Sequence, residues 1–119
     1  MNTRCITNNP LVIKKGLPNI EPVDGNILSV LLAVESEILK GFKLLSHPMS
    51  SSIRPDIGPY KTILLSADAG DVDPESMHII YSSIEYTENL LKNNTGAHWS
   101  KESLEDFQFI DLDIIQNFI

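Results

Sequence analysis

Short β-prone runs and stretches with helical apolar spacing take turns along the 119 residues of this chain. The run Arg4-Cys5-Ile6-Thr7 is stopped by Asn8-Asn9-Pro10, turn formers whose proline has the fixed φ suited to a first helical turn. Pro10 to Lys15 therefore reads as one or two turns of helix, with Gly16 as its C′ residue. Asn19 to Val23 predicts a second short strand, and Pro22 suits it to an edge. Ile27, Leu28, Leu31, Leu32, Val34, Ile38 and Leu39 follow helical spacing. They predict a helix from Ile27 to Lys40, capped by Asp24 or Asn26 and ended by Gly41. Lys43 to Ser46 and Lys61 to Ala67 are short apolar runs without alternation, the pattern of strands covered on both faces. Further helices are expected from about Pro74 to Asn93 and from Ser100 or Lys101 towards the end.

Alternation of this kind predicts a single α/β domain over residues 1–119. The expected architecture is a four-stranded, mostly parallel sheet with right-handed crossovers and helices on both faces, a Rossmann-like three-layer sandwich. A 13.3 kDa chain can bury roughly two-thirds of its unfolded surface, so it can hold one core without staples. Its lone cysteine, Cys5, excludes a disulfide framework and reads as a buried strand residue. No apolar run approaches the roughly 20 residues that span a bilayer, so no membrane association is expected. MNTRCITNNP holds no stretch of the signal-peptide kind, which makes a cytoplasmic location the expectation.

The net charge of -7 is unevenly spread. Residues 1–61 carry seven Lys/Arg against five Asp/Glu, whereas residues 62–119 carry two against eleven. Neutralising phosphates needs a basic face, and neither half has one, so nucleic acid is not an expected partner.

In an open parallel sheet, ligands bind beyond the carboxyl ends of the strands. Asn8 and Asn9 follow the first run, and Ser46 and His47 follow the third and open an irregular loop containing Ser51 and Arg54. If the first and third strands are neighbours, these six residues share a crevice whose amides, hydroxyls, imidazole and guanidinium suit a small carboxylate or phosphate. The plainer alternative is that they are turn residues satisfying loop backbone groups. His47 as an acid or base would need a carboxylate such as Asp24 or Asp56 within reach. The histidines and the cysteine lack metal-ligand spacing, and no cofactor is expected: Ser50-Ser51-Ser52 has no glycine and no GK[ST]. DAGDVDPE lacks the spacing of a calcium loop, and Asp73 before Pro74 reads as a helix cap.

In the last helix, Leu104, Phe107, Ile110, Ile114 and Phe118 make one apolar stripe, while Phe109, Leu112 and Ile119 point elsewhere. One stripe docks on a sheet, and the remainder is available for a homodimer interface unless Phe109 to Ile115 is partly extended.

A short strand running into TNNP (Thr7 to Pro10), a helix ending in Lys40-Gly41, then LLSHPMSSSIRPDIGPYKTILLS (Leu44 to Ser66) resembles the GrdX family. Its members are small proteins encoded with the glycine, sarcosine and betaine reductase genes of amino-acid-fermenting anaerobes. The resemblance implies a non-catalytic accessory protein with reductase components as partners, and it brings no assigned catalytic residues. The expected function is accordingly an accessory protein that binds a small anionic ligand at the strand ends. The alternatives are a small enzyme using His47, and an interaction module acting through the acidic C-terminal helices.

Overall fold

Strand β1 (Thr3–Thr7) is the middle of the sheet in a computed structural model that describes residues 3–16, 19–48, 59–93 and 99–116. It pairs in parallel with β2 (Ile20–Pro22), Cys5 facing Ile20, and antiparallel with β3 (Thr62–Ser66), Thr7 facing Thr62. Among the described residues the sheet therefore has three strands in the order β2-β1-β3 and is mixed. This corrects the expected four-stranded, mostly parallel arrangement.

The fourth expected strand, Lys43 to Ser46, forms a single antiparallel bridge, Leu44 to Leu65, on the outer edge of β3. The Leu45 N–H donates to the Leu64 carbonyl at 2.9 Å. The Leu64 N–H, however, donates to the Ser46 hydroxyl at 2.9 Å, so a side chain takes the place of the next ladder partner. That substitution ends the pairing. β3 runs antiparallel to this segment, and no crossover helix stands between the two among the described residues.

Alternation along the strands divides the core into two layers. Ile6, Ile63 and Leu65 pack against α2 (Ile27–Leu39) and α3 (Pro74–Asn93). Cys5 and Leu64 face the other way and pack with Val12 of α1 (Pro10–Lys14) and with Leu112 and Ile115 of α4 (Lys101–Gln116). The expected three layers are present. The helices begin where the sequence placed them, and α1 and α2 each end one residue earlier than expected. Asn26 Oδ1 accepts the Ser29 N–H at 3.0 Å, Asp73 accepts the Ser76 N–H at 3.0 Å, and Ser100 Oγ accepts the Ser103 N–H at 3.1 Å. Gly41, at φ +105°, closes α2.

The face that α4 buries differs from the expected one. Leu112 and Ile115 are buried with Asp111, while Ile110 is 53% exposed and Phe109 67%. Phe118 and Ile119 lie outside the described residues. The inward face runs through positions 104, 108, 111 and 115, a helical line that contains a carboxylate. At about 1.5–3 kcal/mol per fully buried aliphatic side chain, α2 contributes Val30, Leu31, Val34 and Ile38, and α4 only Leu112 and Ile115. The shortfall on α4 is met by polar contacts.

Candidate functional site

Because β3 is antiparallel to β1, the end of β1 and the start of β3 lie at one end of the sheet. A buried polar network occupies that end, and Asp111 reaches it from α4. Thr62 donates its N–H to Asp111 Oδ1 at 3.2 Å and its hydroxyl to Oδ2 at 2.6 Å. With the Thr62 proton so used, the 2.7 Å contact between the two threonine hydroxyls must carry the proton of Thr7. Thr7 Oγ1 in turn accepts the backbone N–H of Asn9 at 3.0 Å.

The two asparagines brace this end of the fold. Asn8 Nδ2 donates to the carbonyls of Gly25 (3.0 Å) and Pro59 (2.8 Å), and its Oδ1 accepts the Lys61 N–H at 2.9 Å. One side chain thus ties the β2–α2 connection to the approach into β3. Asn9 caps α1 through the Leu11 N–H at 3.0 Å, and its Nδ2 donates to Asp111 Oδ2 and to the Gln108 carbonyl, both at 2.9 Å. It ties α1 to α4. All four amide protons, the two of Asn8 and the two of Asn9, have partners within the protein. The turn chemistry of Thr7 to Pro10 is therefore structural.

Lys61 is 1% exposed. Loss of water contact pushes its amine down to about 8, and the charge of Asp111 offsets part of that effect. Gln108 Nε2 donates to the Tyr60 hydroxyl at 3.1 Å beside it. Lys61, Thr62 and Asp111 were missed by sequence reasoning. Asp111 carried a usable signal, its spacing of seven from Leu104 and four from Ile115 on one helical line.

The other expected site residues are dispersed. Ser46 and His47 stand on the far side of β3 from Asn8 and Asn9, so the first and third β-prone runs are not adjacent. The Ser46 hydroxyl is engaged by Leu64, and His47 is exposed at the rim of a cleft against α3. Ser51 and Arg54, like Asp56, lie outside the described residues. Among the described residues, no group of three or more His, Cys, Asp or Glu could hold a metal ion. No described helix is long and apolar enough to cross a membrane. Cys5 is 1% exposed in the core beneath α1 and α4, and burial pushes its thiol up.

A family model described as GrdX-like protein matches residues 4–119, nearly the whole chain, and the chain belongs to that family. No curated protein and no solved structure matches it.

Proposed function

From membership of the GrdX-like family, we propose that this chain is a non-catalytic accessory protein of the glycine reductase system that binds a small anionic ligand. The observation that carries the non-catalytic reading is the placement of Cys5. A thiol takes part in redox or acyl chemistry as an accessible thiolate, whereas this one is a core side chain whose burial favours the protonated form. The chain's single sulfhydryl therefore belongs to its packing. The ligand part of the reading is carried by the polar end of the sheet where β3 begins, where Lys61 is the cationic group within the fold.

A thermal-shift series with acetate, glycine and inorganic phosphate, beside chloride at matched ionic strength, tests the ligand. A selective shift with one of the oxyanions is expected, and equal response to all of them would remove the ligand from the proposal. Co-expression with glycine reductase subunits, followed by size-exclusion chromatography, tests the association. Separate migration of every subunit would remove the accessory role.

A second reading, contact through α4, is favoured by the exposed Phe109 and Ile110 on its outer face. Light scattering distinguishes a homodimer from a monomer, and a dimer dissociated by Phe109→Ser would place the contact there.

A further inference from the structure

We propose that the outer face of α4 docks a cationic amphipathic element of another protein, one whose row of Lys or Arg side chains is bordered by apolar ones. The inference rests on the α4 contact described above and names its occupant. Phe109 is the most exposed large apolar side chain among the described residues, and Ile110 beside it is more than half exposed. On the helical repeat Ile110 adjoins Phe107 and Ile114, both half-buried, and Trp99 meets the Phe107 ring edge-on with 4.8 Å between centroids. A lone exposed apolar residue is ordinary, whereas this is a contiguous group on one helix.

The same face is acidic. Glu102, Asp106 and Asp113 fall on one line of the helical repeat, four and seven residues apart, with Phe109 on one side of it and Ile110 on the other. All three are exposed, as is Glu105, and Lys101 is the one cation of the helix. Among the described residues the ion pairs are those of Arg4 with Glu21 and Glu37 and of Lys40 with Glu37, so none neutralises this line. A second copy docking by this face would set the line against itself, since a two-fold contact joins like surfaces. Nucleic acid and anionic lipid are repelled by the same charges. Lysine or arginine side chains set between apolar ones meet both features at once, the cations over Glu102, Asp106 and Asp113 and the apolar groups on Phe109 and Ile110.

Calorimetric titration with a synthetic amphipathic helical peptide of leucine and lysine, beside its leucine–glutamate counterpart, tests the occupant, and light scattering of the protein alone tests the second copy. The lysine peptide should bind saturably and more weakly as salt is raised, and the glutamate peptide should not bind. Phe109→Ser should weaken binding by about tenfold, the loss of a central aromatic contact. Asp106→Asn combined with Asp113→Asn should weaken it by about fivefold at low salt. Glu85→Gln combined with Glu88→Gln, in a groove of α3, should leave it unchanged. All these positions are exposed, so the variants should melt like the parent. Equal losses for the α3 and α4 acid pairs, or binding indifferent to Phe109→Ser, would overturn the inference, leaving only general attraction to an acidic protein. A dimer dissociated by Phe109→Ser, with no binding of the lysine peptide, would overturn the cationic occupant and leave the α4 contact standing. A monomer that binds neither peptide would remove both.

Discussion

Thr62 of β3 gives both its backbone N–H and its hydroxyl to the carboxylate of Asp111 on α4, at 3.2 and 2.6 Å. Through this pair a helix with few buried apolar side chains is fixed to the sheet. Asp111→Ala would leave the Thr62 N–H and one Asn9 amide proton without acceptors in a dry site. The expected loss is about 2–4 kcal/mol, because donors to a charged acceptor lose both the bond and their solvation. Urea denaturation measures it, and a change below 0.5 kcal/mol, on the order of an exposed substitution, would show the contact to be dispensable.

Asn8 distinguishes donor from acceptor within one side chain. Its Nδ2 faces two carbonyls and its Oδ1 faces one N–H. Asn8→Asp keeps the acceptor but turns a carboxylate oxygen towards Gly25 O and Pro59 O. It should therefore destabilise more than Asn8→Ala, although it is the closer match in shape. Equilibrium unfolding of the two variants at pH 7 decides the order. An aspartate variant as stable as the alanine one would mean that the amide protons contribute nothing.

These two residues also mark where the sequence was legible and where it was not. Local signals were readable: the spacing Leu31-Val34-Ile38 wrote α2, and Asn26, Asp73 and Ser100 each satisfy N–H groups at the helix starts expected of them. Asn8 and Asn9 were recognisable as special residues, but their acceptors lie 17 to 102 positions away, and no local pattern names a partner at that distance. The direction of β3 had the same cause, since it is set by pairing with a strand far away in the chain, Thr62 with Thr7. Asp111 was hidden by a sound rule, that charged residues face water unless paired. Its pairing is tertiary, and a stripe counted from apolar residues alone passes it by and runs through Ile110 instead.

Two glycines with positive φ should respond very differently to alanine. Gly16 (φ +68°) has nothing within 4 Å of where a Cβ would stand, so only the left-handed backbone opposes the change, about 1–2 kcal/mol. At Gly41 (φ +105°) a Cβ would fall 1.9 Å from the Gly70 carbonyl oxygen. The two backbones are also joined by the Gly70 N–H donating to Gly41 O at 3.0 Å. Gly41→Ala should combine strain with displacement of that loop and lose about 3 kcal/mol or more. Thermal melts of the two variants would rank them, and equal losses would show that the Gly41–Gly70 approach relaxes freely.

The buried amine of Lys61 makes stability depend on pH in a defined direction. Its pKa falls from 10.5 to about 8 on folding, chiefly because burial disfavours the charged form, with Asp111 opposing. Between those values the unfolded chain holds a proton that the folded one has released, so stability rises with pH across pH 8 to 10.5. Below pH 8 both states are protonated, and the full burden of the buried charge is present. At about 1.4 kcal/mol per pKa unit the swing is on the order of 3 kcal/mol. Lys61→Met has no proton to release there. The difference in unfolding free energy between variant and parent should therefore shrink as pH is raised from 7 to 10, while contributions from other titrating groups cancel in the comparison. Parallel urea curves at pH 7, 8.5 and 10 measure that difference. A difference that stays constant with pH would show that the amine keeps its ordinary affinity for a proton in the folded state.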